Sequence, residues 1–161
     1  MGILIFISNN MKIKVIQKHF IIGMFCLINA LVINAQEWQI KKAPMMTPWS
    51  ETMDVNNVLP EYPRPQMVRK EWMNLNGIWD LRKGVKGENY DPNFTFNQKI
   101  LVPFPIESAL SGIMEESNSQ CYWYKRILKI PEAMKGRNIL LHFDAVDWET
   151  IVYIDGIKVG S

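Results

Sequence analysis

Cysteine and histidine are nearly missing from this sequence, with two of each in 161 residues. Cys26 and Cys121 alone cannot build a disulfide framework or a zinc centre with four thiolate ligands. An excess of charge of one sign is missing too, since 18 Lys and Arg stand against 16 Asp and Glu. Nucleic acids and anionic membrane surfaces are bound through clustered surplus basic charge, so neither is expected as a partner. The chain has no internal repeat and no low-complexity tract, and none of its apolar runs reaches the roughly 20 residues that a bilayer core demands. What is present is ordinary globular composition, 48% hydrophobic and 21% charged, enough for one domain. Six Trp and five Tyr offer large faces that fill a β-rich core or stack on sugar rings, and the core reading comes first.

From Met11 the chain reads MKIKVIQKHFIIGMFCLINALVINAQ. Lys12, Lys14 and Lys18 are followed by an apolar stretch from Phe20 to Ile33 and then by small Ala35 before Gln36. A basic start, a short apolar centre and a small-residue cleavage point are the three parts of a secretory signal peptide. Residues 1–35 are therefore expected to be cleaved near Ala35-Gln36, leaving no stable membrane anchor and an exported product, periplasmic or extracellular. The preceding MGILIFISNN places an apolar patch ahead of the basic residues, which makes Met11 an alternative true start. Cleavage removes three of the 18 basic residues and no acidic one, leaving 15 against 16 and a net charge of −1. It also removes His19 and Cys26, the latter preceded by Phe25 rather than by the small residue of a lipoprotein acylation site. His142, inside an apolar run, reads as a core or strand-face histidine rather than a metal ligand or base. Neither metal nor cofactor is expected.

Residues 36–71 carry Pro44, Pro48, Pro60, Pro63 and Pro65 and no sustained apolar period. Proline removes ladder donors and biases its predecessor away from helix, so this stretch reads as an extended arm. Trp38, Trp49, Leu59, Tyr62 and Met67 are its candidate anchors. From residue 72 to 161 short apolar or alternating runs are separated by turn residues, the texture of an antiparallel β protein. Strands are expected at 77–81, 99–102, 122–130 and 150–154, with a stub at 157–159, and single helical turns at 107–110 and 132–136. Asp155-Gly156 between apolar strands predicts a type I′ hairpin. A further strand is expected at 139–146, where Ile139, Leu141, Phe143 and Ala145 share one wholly apolar face that calls for burial. About six strands fall short of the seven or eight of a sandwich, so the domain reads as incomplete at its C-terminal end.

The strings EYPRPQMVRKEWMNLNGIWD (61–80), ILVPFPIESALSG (100–112), WYKR (123–126) and LHFDAVDWETIVYIDGIKVG (141–160), in that order and spacing, resemble the N-terminal sugar-binding domain of glycoside hydrolase family 2. The resemblance spans residues 59–161. It implies an all-β, antiparallel jelly-roll sandwich of the galactose-binding type, here partial over residues 72–161. It also implies a parent enzyme that hydrolyses O-glycosidic bonds with retention, β-galactosidase-like, in carbohydrate metabolism. The implied partners are a β-linked glycan or glycoside and the parent's downstream domains, absent from this sequence. Family members complete the first sandwich with a Gly-Gly-Tyr and Pro-Phe stretch beyond the hairpin, and this sequence has none.

The family's two catalytic glutamates belong to a barrel further along the parent chain, so no catalytic residue is expected here. Retaining hydrolysis needs two carboxyl groups about 5–5.5 Å apart across the scissile bond. Glu115-Glu116 reads as a solvated loop, and Asp144, Asp147 and Glu149 around Trp148 as part of a structural strand. In some members a loop just before the WYKR strand offers an asparagine to the sugar, which makes Asn118 the candidate substrate-binding residue. Trp79 and Trp123 are expected in the core, Cys121 is expected to be inert, and Lys125 and Arg126 are expected to pair with acids or neighbouring domains. The rival reading is a non-enzymatic carbohydrate-binding module. A structural or adhesive sandwich has only the export signal in its favour.

Overall fold

The computed structural model describes residues 1–7, 38–119 and 121–161. Most of the expected signal peptide, residues 8–35, and its cleavage point lie outside them. Among the described residues six strands run β1 (Gly2–Ile7), β2 (Gly77–Gly84), β3 (Gln98–Val102), β4 (Cys121–Leu128), β5 (Ile151–Ile154) and β6 (Ile157–Gly160). One short helix, α1 (Pro48–Glu51), and 3₁₀ turns at Pro65–Met67, Ala109–Ser111 and Glu132–Met134 complete the regular structure. The chain is thus β-rich, as the sequence predicts. The strands form a single mixed sheet in the order β3-β2-β4-β1-β5-β6. Strands β2, β3 and β4 pair antiparallel, as do β5 and β6, whereas β1 lies parallel to β4 on one side and to β5 on the other.

Alternation explains the antiparallel block. In β2 the side chains of Trp79 and Leu81 are buried while the alternating Asp80 and Arg82 are half-buried on the opposite face. The strand runs three residues past the expected 77–81 because β4 is long enough to pair with it there, Arg82 opposite Trp123 and Gly84 opposite Cys121. Pro103 follows β3 directly, and a residue without an N–H cannot continue a ladder. The expected hairpin is present, with Asp155 and Gly156 at φ 49° and 82°, the positive pair a type I′ turn requires. The helical turn expected at 107–110 sits at Ala109–Ser111, where the Ser108 hydroxyl caps the N–H of Leu110.

Each face of the sheet is covered by loops. On one face Ile3, Ile5, Trp79, Leu81, Ile100 and Tyr122 pack with Ile106 and Ile113 of the segment between β3 and β4. On the other, Leu4, Trp123 and Tyr153 pack under Tyr90, Phe94 and Phe96 of the β2–β3 connection. Rings of Phe94 and Trp123 meet edge-on at 5.1 Å, and the guanidinium of Arg82 lies 3.9 Å over Phe94.

Strand β1 is a member of both cores, with Ile3, Leu4 and Ile5 at 3%, 1% and 2% exposure. Burying three such side chains is worth roughly 1.5–3 kcal/mol each, a sum comparable to the whole stability of about 5–15 kcal/mol typical of a domain.

Three expectations need correction. The apolar alternation at 139–146 forms no strand. Ile139, Leu140 and Phe143 are exposed, and only Leu141 packs against the core. Both edges of the following β5 are taken by β1 and β6, so the segment has no place beside the strand it leads into. His142 in that segment is exposed rather than in the core. The described part of the arm, 38–71, is largely irregular and is fastened at points partly different from those expected. Trp38 donates from Nε1 to the Ser111 carbonyl at 2.9 Å, and Lys41 donates from Nζ to the Ile113 carbonyl at 2.6 Å. Val58 is buried, whereas Trp49, Leu59 and Met67 are exposed. Among the described residues no helix is long and apolar enough to cross a membrane.

Candidate functional site

Asn118 sits exposed in the loop that leads into β4. Two contacts tie that loop to the end of β2. Glu115 Oε2 pairs with Lys83 Nζ at 3.1 Å, and the Ser119 hydroxyl lies 2.9 Å from the Gly84 carbonyl and 2.8 Å from that of Cys121. The same end of β2 borders a polar hollow of about 360 Å³ lined by Arg82, Lys83, Thr95, Asn97 and Gln98.

The cations of this hollow are already engaged. Arg82 donates from both terminal nitrogens to Glu88, at 2.7 and 2.9 Å, and Trp123 Nε1 donates to the same carboxylate at 2.9 Å. The hydrogen bond from Arg82 is the main reason that Glu88 is held below the ordinary carboxylate range, with the Trp123 bond adding to it; the same pairing raises Arg82. Lys83 is held by Glu115. The hollow therefore offers chiefly the neutral donors and acceptors of Thr95, Asn97 and Gln98, the chemistry that suits hydroxyl groups better than phosphate. Glu88 is displaced in the direction opposite to that of a general acid poised for glycoside cleavage.

A second, smaller cleft is formed by Tyr62, Arg64, Arg69, Trp72, His142 and Asp144 together with Pro63 and Met67. Its indole is occupied. Tyr62 meets Trp72 edge-on at 4.8 Å and His142 lies 6.1 Å from it, while the buried Trp72 Nε1 has no acceptor. This is a packing joint between the arm and the 139–150 segment rather than an open stacking platform.

The remaining expected residues are structural or solvated. Trp79 and Trp123 are buried. Lys125 pairs with Asp80 at 3.5 Å. Arg126 braces backbone instead of acids, donating to the carbonyls of Leu75 and Asn76, and burial lowers its titration. Burial likewise pushes the Tyr124 hydroxyl up to about 12, so it stays neutral. Cys121 is half-buried and free. Glu116, Asp144, Asp147, Trp148 and Glu149 are exposed. Among the described residues no three His, Cys, Asp or Glu side chains converge as a metal site requires. Thr95, Asn97 and Gln98 lie in or just after a polar loop with no spacing pattern that would have marked them in the sequence.

No family model matches the chain. Over 102 residues it is 22% identical to a beta-glucuronidase of Streptococcus agalactiae serotype V. The matched stretch covers 62% of this chain and 16% of that enzyme. The chain is thus weakly similar to part of a glycosidase, and it spans a small fraction of that relative's length.

Proposed function

We propose that residues 72–161 are part of the N-terminal sugar-binding domain of a glycoside hydrolase of family 2, with residues 36–71 as an arm along it. The parent hydrolyses β-linked glycosides with retention, and the acid and nucleophile are supplied by domains outside this sequence. The observation that carries the reading is the similarity over 102 residues to 16% of a beta-glucuronidase. The antiparallel jelly-roll sandwich of such a domain is the fold we propose for the complete N-terminal domain of the parent.

The sugar contact is proposed at the polar hollow beside β2, with Asn118 as the residue facing substrate. Neutral amide and hydroxyl side chains line the hollow, and the loop that carries the exposed Asn118 is tied through Glu115 and Ser119 to the same end of β2, which supports it. Titrating the full chain with β-galactosides and β-glucuronides should give saturable binding near the millimolar range, appropriate to a few hydrogen bonds. Asn118→Ala should weaken it about tenfold. Turnover of nitrophenyl glycosides should stay at background. Absence of binding to every β-linked glycan tested would sink the reading. Turnover abolished by Glu115→Gln or Glu116→Gln would overturn the division of labour between this chain and the parent's other domains.

A further inference from the structure

The placement of β1 points to a property of the sheet that does not depend on any sugar. The strand enters from residues 1–7, far in sequence from its neighbours, and sits between β4 and β5. The chain passes from β4 to β5 through 129–150 without involving β1. Removing β1 therefore leaves a continuous chain and two antiparallel ladders, β3-β2-β4 and β5-β6, whose open edges face each other. Every described contact that holds β1 is noncovalent, and β1 supplies both parallel pairings in the described sheet.

The seat is nevertheless specific. The register sets Gly2 opposite Trp123 and Ile151, and Ile5 opposite Arg126 and Ile154. A Cβ on Gly2 would lie 2.1 Å from Trp123 Cε3, inside a ring that is itself 1% exposed and pinned through its N–H to Glu88. The seat thus admits only glycine at that point without displacing the indole. Further along, Ile3 and Ile5 enter one core and Leu4 the other, so the occupant must be apolar on both faces. Both ends are fixed by polar contacts. The Met1 ammonium donates to the Glu149 carbonyl at 2.7 Å, and the Ile7 N–H donates to Asp155 Oδ1 at 3.0 Å. In between, the N–H groups of Ile151 and Asp155 donate to the carbonyls of Met1 and Ile5, each at 2.9 Å.

We propose that the gap between β4 and β5 is a strand-acceptor site and that Met1–Ile7 is its occupant as a separable segment, recognised by Gly2 against Trp123 and kept in place when its covalent link to the rest of the chain is cut. Any processing within residues 8–37 then yields a two-piece fold instead of a shortened one, and a chain beginning at Met11 carries an open acceptor edge.

The experiment starts from the full chain with a specific protease sequence inserted after Gln36. Amide exchange on the uncut protein should protect Ile3 to Phe6 to the level of Leu81 and Ile100. After cutting, the N-terminal piece should stay with the domain through gel filtration, and the melting temperature should change little. Ile3→Asp with Ile5→Asp should release the piece. In a second arm, residues 36–161 are refolded with a synthetic Met1–Ile7 peptide carrying a lysine tail for solubility. The peptide should restore the cooperative melt, and a Gly2→Val peptide should bind at least about tenfold more weakly. Fast exchange of the Ile3 to Phe6 amides overturns the proposal even if 36–161 alone aggregates. So does an unchanged melt for 36–161 without peptide, or equal binding of Met1–Ile7, Gly2→Val and scrambled peptides. None of these outcomes bears on glycan binding, so this proposal and the functional reading fail separately.

Discussion

The β2–β3–β4 block and the segment 139–150 carry the same sequence signal and reach opposite ends. In β2, alternation sends Trp79 and Leu81 into the core. Between residues 139 and 146 an equally regular alternation leaves Ile139, Leu140 and Phe143 exposed, with Phe143 at 41%. The difference lies in strand pairing. Strand β2 has β3 on one side and β4 on the other, whereas the segment before β5 meets a strand whose two sides are taken. Periodicity reports which side chains would share a face, and pairing decides whether that face is built.

The comparison breaks most easily at Trp123, which is 1% exposed, packs with Phe94 and Tyr153 and holds Glu88 through its N–H. Trp123→Ala should cost about 3–5 kcal/mol, a large share of a domain's stability, read as the loss in a urea or thermal melt. A cost below about 1 kcal/mol would mean that this face of the sheet is loosely packed and that the block differs little from the exposed segment.

How much of this was legible follows from the range of each interaction. Strands β2 to β6 announce themselves through local alternation, and Asp155-Gly156 through the dihedral demands of its turn. Strand β1 does not. Met1–Ile7 reads the same whether it flanks a leader or fills a sheet, because parallel pairing with residues more than a hundred positions away leaves no local mark. The arm's anchors differ in part from those its apolar residues suggest, for the same reason. Trp49 and Val58 look alike as isolated apolar residues, yet Val58 alone of the two is buried, with the carbonyl of Val58 accepting from Asn76 Nδ2 at 3.2 Å. At the candidate site, Asn118 was reached only through a family resemblance, and Thr95, Asn97 and Gln98 come together with Arg82 and Lys83 through the fold alone.

A smaller effect is expected at Arg126, where β4 grips the entrance to β2. Its guanidinium bonds the carbonyls of Leu75 and Asn76 and lies 5.7 Å over Trp79. Arg126→Met keeps the stem and loses the donors, so it should cost about 1.5–3 kcal/mol. Both bonds leave one nitrogen, Nη1, so Arg126→Lys should recover part of that, an ammonium having donors enough for both carbonyls but not the planar group that lies over Trp79. Equal stability of all three proteins would show that packing against Trp79, and not the carbonyl brace, joins the two strands.

The Arg82–Glu88 pair gives the block a pH signature. Glu88 titrates lower in the folded chain than an ordinary carboxylate. Its contribution is therefore fully present above the ordinary value of about 4.3 and is lost as pH falls from there through the lowered folded value. Glu88→Gln should lower stability by about 1 kcal/mol at neutral pH and flatten the decline on acidification. If the mutant's acid profile parallels the wild-type curve, the pair carries no linkage and other carboxylates drive the loss.

The smallest effect is the sharpest test of the comparison itself. Leu140→Ser and Phe143→Ser place hydroxyls where the apolar alternation is strongest yet the side chains face solvent. Surface substitutions clear of packing change stability by no more than about 0.5 kcal/mol, and these two should also reduce self-association by shrinking an exposed apolar patch. Leu141→Ser, between them and packed against the core, should cost more than either neighbour. If instead Phe143→Ser costs as much as Leu141→Ser, residues 139–146 bury the face their alternation defines. The difference between the two regions would then lie in which strand occupies the edge beside them and not in whether such an edge exists.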